Sequence, residues 1–377
     1  MIVKHSASRP VIAVSGLHRG ESPQSGSAVI ESLRARLPEA RYIGVSYDAL
    51  ETGLYSCDRD QVDAAYLFPY PVAGIEELFK RLREVHEAEH ISLIVPTLDS
   101  ELENLIALRP RLAGMGIKVS APSGASLHAR DKAVLGFLGE RTGVAVPHTF
   151  AANSAAVLAG YAADLGYPCY VKGALYGAHL VYTEAQLFEA FAAIHAVWGA
   201  PVLLQEAVRG EEYAIAGVGD GSGGIVVQCA IRKLLRSHLG KAFGGVVIDD
   251  PRVTDLCSAL IGELRWDGPF EIELIKPRGR PHHLFEINPR FPAWISFPAK
   301  VGCNMPAHVA AHALGLAPEA LTSPPAGRMF LRHCQDIVTD IAAVATISTR
   351  GTIGRRADGE PVEPPAEARK TRSPVIP

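Results

Sequence analysis

Apolar and polar positions along the 377-residue chain follow two periods, and the switches between them divide it into elements. Near the N-terminus PVIAVSG (10–16), ARYIGVSY (40–47), ISLIVPT (91–97) and IKVSAP (117–122) are short apolar runs bounded by turn residues, which predicts buried strands. Between them SGSAVIESLRARL (25–37), IEELFKRLREVHEAE (75–89) and ELENLIALRPRLAGM (101–115) repeat apolar residues every three or four positions, which predicts helices. This alternation predicts a parallel sheet covered by helices, an open doubly wound domain ending near residue 120.

Beyond residue 120 the texture changes. Helices are predicted over 131–144, closed by Gly143, over 153–166 with Asn153 as N-cap, over 184–199 and over 251–266. Strands are predicted over 167–173 and 201–208. The segment 212–235 reads as a hairpin turning at Asp220-Gly221-Ser222-Gly223-Gly224. A second hairpin joins FEIELIKP to HHLFEINPRF through Arg278-Gly279-Arg280. From about residue 350 the chain is rich in charge and proline without periodicity, which predicts a mobile tail.

The second hairpin breaks the apolar pattern. On LFEINPRF, Glu286, Asn288 and Arg290 occupy every second position, so they share one face of a strand while Phe285 and Ile287 take the other. Glu271 and Glu273 alternate likewise on FEIELI. Paired around the turn, the two strands can converge carboxylate and amide oxygens on one face, a hard donor set suited to Mg²⁺ or Mn²⁺. Arg290 adds a permanent cation for a phosphate or acyl phosphate. The plainer alternative is a surface hairpin whose charges face water, for which Asn-Pro-Arg-Phe is an unneeded mixture.

Composition bounds the function. Apolar residues make up 48% and charged ones 20%, an ordinary globular balance, and the net charge of −3 supplies no field for nucleic acid or anionic lipid. The six cysteines are scattered without metal spacing and fit a reducing compartment. No run has the length of a signal peptide or membrane span, which places the chain in the cytoplasm. SGLHRGESPQSG has neither GxGxxG nor GxxxxGK[ST] spacing and reads as a strand-to-helix turn.

Other positions suit a nucleotide. Lys132 and Lys172 stand where ammonium groups can hold phosphates, although either alone reads more often as a solvated surface lysine. After the strand ending in Gln205-Glu206, the backbone of Ala207 and Val208 can read an adenine edge, and Glu212 can accept from ribose hydroxyls. Arg232, Lys233, Lys241 and Arg332 can read a carboxylate-bearing substrate, or serve as surface charge. His282 and His283 are neighbours on a strand and point to opposite faces, so they do not form a metal pair.

In this order DKAVLGFLGERTGVAVP, YPCYVKG, QEAVRGEEY, FGGVVIDDP, DGPFEIELI and FEINPRFPAWISFPAKVGCNMP resemble the ATP-grasp superfamily, in its branch of carbamoyl-phosphate-synthase-like and biotin-carboxylase-like ligases. The resemblance runs from about residue 10 to about 335. It implies a Rossmann-like pre-ATP-grasp domain (1–120), a first ATP-grasp lobe with phosphate lid (121–204) and a second lobe with the metal site (205–349), the tail following (350–377). It implies that Lys132 and Lys172 bind phosphates, that Gln205, Glu206, Ala207 and Val208 form the adenine hinge and that Glu212 holds the ribose. Glu273, Glu286 and Asn288 would bind two magnesium ions, and Arg290 would stabilise the transferred phosphoryl group. The chain departs from the family's Gly- and Ser-rich lid in KGALYGAHLVYT, where Tyr176 and His179 are inserted; His179 reads as an exposed loop histidine.

The expected reaction is carboxylate–amine ligation with ATP and Mg²⁺ or Mn²⁺, on small-molecule acids and amines such as amino acids or peptides, with Arg290, Lys241 and Arg232 on the reacting groups. Bicarbonate activation through carboxyphosphate and a non-catalytic nucleotide-binding scaffold are the alternatives. The resemblance points toward a homodimer; neither a nucleic acid nor a membrane partner is expected.

Overall fold

The computed structural model describes residues 9–173, 177–317 and 320–355. In chain order the elements are β1 (Val11–Ser15), α1 (Gly26–Arg36), β2 (Arg41–Ser46), β3 (Ala64–Leu67), α2 (Ile75–Glu89), β4 (Leu93–Val95), α3 (Asp99–Gly114), β5 (Lys118–Val119), α4 (Gly124–Ala129), α5 (Leu135–Thr142), β6 (Thr149–Ala152), α6 (Ala155–Leu165), β7 (Cys169–Gly173) and β8 (Ala178–Val181). They continue with α7 (Glu184–Trp198), β9 (Val202–Glu206), β10 (Glu211–Asp220), β11 (Ile225–Arg236), β12 (Ala242–Val247), α8 (Pro251–Leu264), β13 (Asp267–Lys276), β14 (His283–Asn288), α9 (Ser296–Lys300), α10 (Met305–Leu314), β15 (Met329–Leu331), α11 (Ile341–Arg350) and β16 (Thr352–Gly354). They form two compact units. Of the described residues, one takes those up to Ala121, Leu234–Gly245 and those from Arg290 onward; the other takes those within Pro122–Lys233 and Val246–Pro289.

In the first unit the strand–helix alternation produces the expected parallel sheet, ordered β3-β2-β1-β4-β5. SGLHRGESPQSG is the turn from β1 into α1. Ala13, Ile43, Tyr66, Leu82, Val85 and Leu108 fill one shared core. Residues 350–355 differ from the expected tail. Thr352–Gly354 pair antiparallel with Ala64–Tyr66 and extend the sheet, and Thr352 is buried with its hydroxyl on the Ala65 carbonyl. A three-residue strand is too short to carry a period, so only the exposed edge of β3 explains it. Residues 356–377 lie outside the described residues.

This unit holds a buried ion pair. Arg41 donates to both oxygens of Glu89 at 2.7 and 3.0 Å, the Tyr66 hydroxyl donates to Glu89 at 2.7 Å, and Arg41 also reaches the Arg355 carbonyl. Removing the carboxylate leaves the guanidinium desolvated and unpaired, so Glu89→Ala should cost about 3–5 kcal/mol. Urea denaturation followed by circular dichroism measures this; a loss below about 1 kcal/mol, the level of an exposed pair, would contradict it.

The second unit contains an antiparallel sheet ordered β6-β9-β7-β8, with Leu158, Leu187 and Ile194 of its helices against Val171, Val202 and Leu204. It also contains the antiparallel run β14-β13-β10-β11. Leu135 and Leu138 of α5 and Val253, Leu260 and Ile261 of α8 cover the face of that run carrying Ile215, Ile272 and Ile287. Covering one face with helices leaves the other for polar groups. Local boundaries shift by a few residues. Ser154, not Asn153, caps α6 by accepting from Val157, and Lys132 sits in a turn three residues before α5 rather than opening it. No helix among the described residues is long and apolar enough to cross a membrane.

Candidate functional site

The β13–β14 hairpin brings its acids into register. Glu273 stands directly opposite Glu286, and Glu271 opposite Asn288. Residues opposite one another on a ladder share a face, so all four lie away from Ile272 and Ile287. Asn288 donates its amide nitrogen to Glu271 at 3.1 Å, which leaves the amide oxygen as its remaining acceptor. The expected alternation fails at one residue. The register shifts between Glu273 and Leu274, so that Leu284, not Phe285, is the core partner of Leu274. Phe285 is the bulged residue and turns toward the polar side, because a bulge places two consecutive side chains on one face.

Phe285 meets Lys172 there. The Lys172 ammonium lies 3.8 Å from the Phe285 ring centroid and donates to the Gln205 side-chain oxygen at 2.7 Å. Gln205 is itself fixed by donation to Thr149 at 3.0 Å. Burial pulls the Lys172 pKa down to about 7, helped by Lys132 and opposed by Glu286 and Glu273. The Lys132 ammonium lies 3.0 Å from Glu286. The structure thus brings two lysines, one from a turn and one from β7, to the carboxylates of the hairpin. An anionic ligand would relieve the desolvated ammonium of Lys172.

The remaining hinge positions follow β9. Glu206 exchanges backbone and side-chain contacts with His148 at 2.9 and 3.4 Å and lies 3.6 Å from Arg280. The Val208 N–H donates to the Glu206 carbonyl at 3.1 Å. Gly210 then lets the chain enter β10, where a Cβ would stand 2.2 Å from the Lys276 carbonyl oxygen. Glu212 lies 3.5 Å from Lys233.

Residues 199–334 match a family model described as ATP-grasp in the biosynthetic pathway with Ter operon. Among solved structures, biotin carboxylase from Campylobacter jejuni in complex with beta-gamma-ATP superposes with a TM-score of 0.63 at 17% identity, covering 82% of this chain and 72% of that one. An L-amino acid ligase from Bacillus licheniformis gives 0.61 at 14% identity, covering 81% and 74%. The biotin carboxylase domain dimer of 2-oxoglutarate carboxylase from Hydrogenobacter thermophilus, in complex with MgADP, ADP and bicarbonate, gives 0.63 at 15% identity, covering 84% and 72%. The chain has the ATP-grasp fold. No curated protein sequence matches it.

Within this ATP-grasp fold the sequence-nominated cations fare differently. Arg232 stands opposite Tyr213 on the ladder, on the face away from Glu273, and pairs with Glu211 at 2.9 Å in an exposed position. In the first unit Lys241 donates to the carbonyls of Ser22 and Pro23 at 3.3 and 3.0 Å. Arg290 pairs with Asp99 at 2.9 Å. Arg332 donates to the Ala293 carbonyl, while its other terminal nitrogen, Nη1, is buried with no hydrogen-bond partner. Burial lowers its pKa, which a nearby anion would reverse. Tyr176 lies outside the described residues; His179, on β8, is exposed.

The residue the sequence left undecided is Lys233. Its side chain is only 1% exposed and its ammonium lies 2.7 Å from Glu273. Burial opposes its charge, yet Glu273, Glu271 and Glu286 hold its pKa above the ordinary lysine value. The register of β10 with β11 decides it: Tyr213 stands opposite Arg232, which puts Lys233 on the face of Glu212, and the irregularity between Val218 and Gly219 keeps that parity from being counted back from the turn.

Two carboxylates and an amide oxygen on one face fit a divalent cation that keeps waters and phosphate oxygens in its other positions. No group of three or more His, Cys, Asp or Glu residues arranged to hold a metal occurs among the described residues. The donor set therefore suits a cation that arrives with phosphate better than one held by protein alone.

Proposed function

We propose that the chain is an ATP-dependent carboxylate–amine ligase that forms an amide or peptide bond and releases ADP and phosphate. The observation that carries this reading is the convergence of Lys172 and Lys132 on Glu286 and Glu273, a site with cations for phosphate beside oxygens for a hard metal. The ATP-grasp fold supports it. The reading keeps the domain plan of a pre-ATP-grasp domain (1–120) and two lobes (121–204 and 205–349).

In this reading Lys132 and Lys172 hold phosphate oxygens, Glu206 with the Ala207 and Val208 backbone forms the adenine seat and Glu212 accepts from the ribose. Glu273, Glu286 and Asn288 would hold Mg²⁺ or Mn²⁺, whose bound charge offsets that of the phosphates. The substrate carboxylate attacks the γ-phosphorus and ADP leaves; the amine then displaces phosphate from the acyl phosphate, losing a proton to solvent or a nearby base. Arg290 supplies a fixed positive charge to the transferred group, with Asp99 orienting it. Lys241 and the under-bonded Arg332 suit a substrate bearing a carboxylate, which favours amino acids and peptides. The scattered cysteines fit the reducing compartment of a cytoplasmic setting.

The test is phosphate release by the purified chain with Mg-ATP against pooled amino acids, small acids and peptides. Release is expected only when an acid and an amine are both present. Release that depends on bicarbonate instead would favour the carboxylase alternative, and tight ATP binding without release across the pools would favour a scaffold.

A further inference from the structure

Lys233 shares its face of the β10–β11–β13–β14 run with the carboxylates. The Tyr213–Arg232 register sets Lys233 opposite Glu212, and Ala214, two residues along β10, stands opposite Glu273. Glu273 in turn stands opposite Glu286. Glu212 and Ala214 therefore share the face of Glu273 and Glu286, and in the cross-strand row Ala214–Glu273–Glu286 the fully buried Ala214 contributes only a methyl group. The small residue leaves room for the lysine stem to cross β10 and place its ammonium on the next strand, 2.7 Å from Glu273 and 3.5 Å from Glu212. An ammonium on so buried a stem has little freedom to leave.

The geometry points to Lys233 as a resident cation of this face, holding Glu273 in the place of a divalent ion so that metal binding becomes conditional on nucleotide. This rests on the proposed reading of Glu273 and Glu286 as metal carboxylates. A divalent ion on Glu273 must sit within a few ångströms of the ammonium, and two cations at that distance repel strongly away from bulk water. Lys132 imposes the same cost at Glu286. A triphosphate adds enough negative charge to reverse the balance, so metal and nucleotide enter together. The bridge from Lys233 to Glu212 extends the link to the proposed ribose carboxylate.

The test is a titration of the nucleotide-free full chain with Mn²⁺, read by electron paramagnetic resonance of the free ion, with and without a non-hydrolysable ATP analogue, and compared with the same concentration of analogue without protein. Wild type should bind Mn²⁺ only weakly alone and take it up when the analogue is present. Lys233→Met should gain nucleotide-free affinity for Mn²⁺ by about 100-fold, since the repulsion is removed, while Lys233→Arg should behave as wild type. Circular dichroism checks folding, and Lys233→Gln replaces the methionine variant if that one fails to fold. Tight Mn²⁺ binding by nucleotide-free wild type, or uptake with the analogue but no gain in the neutral variant, overturns the inference alone. No uptake by wild type even with the analogue overturns the metal-site reading and this inference with it.

Discussion

Lys172→Met should weaken ATP binding by about 10- to 100-fold, the loss of one charge-assisted contact to phosphate, and should also flatten the dependence of stability on pH. Lys172 is almost wholly buried and its pKa is pulled down to about 7 by burial first and Lys132 second. In the unfolded chain the same group titrates near the ordinary lysine value, 10.5. Between these values the unfolded state binds more protons than the native state, so native stability rises with pH across the window. The penalty for burying the charged form is fully present below about pH 7. Methionine removes the titration and with it the slope, which melting curves from pH 6.5 to 9 would show. Wild type should also take up a proton on binding ATP at pH 8, because phosphate favours the charged form. Calorimetry in buffers of different ionisation enthalpy measures that uptake. Unchanged ATP affinity together with an unchanged pH slope would remove Lys172 from the site.

Glu286→Ala should lower phosphate release by about a thousandfold, the scale of several kcal/mol of transition-state stabilisation lost with a metal ligand. The substitution removes the carboxylate opposite Glu273 and the ion pair that Glu286 makes with Lys132. The fold should survive, since the Glu286 side chain is 23% exposed and lies on the face away from Ile287 and the α5–α8 core. Glu286→Gln, which keeps the shape but not the charge, should recover little activity, because a neutral amide is a poorer ligand for a hard cation. Equal release by wild type and both variants, with circular dichroism unchanged, would mean that the metal lies elsewhere.

Much of this site was legible one segment at a time. The alternation of Glu271 with Glu273 and of Glu286 with Asn288 fixed their common face, because a strand repeats every two residues whatever surrounds it. The parallel sheet of the first unit followed from strand–helix alternation for the same reason, and α2 spans the predicted 75–89 in full. Where elements are short, period gives no signal. β3 and β16 went unassigned, and β5 is shorter than its apolar run. Phe285 was assigned to the wrong face because a bulge is a property of two strands together, set by the register of Leu274 with Leu284.

The sequence by itself determined the repeating elements, the doubly wound first sheet, and the residue types able to hold phosphate and metal. Each of these depends on chemistry within one segment, or on a period that one segment displays. Only the tertiary structure decided which cations meet which anions: Lys132 on Glu286, Lys172 over Phe285 and on Gln205, Lys233 on Glu273, and Arg232 turned away to Glu211. Such pairings join strands far apart in the chain, and a shift of one residue in any register would exchange the faces of Arg232 and Lys233.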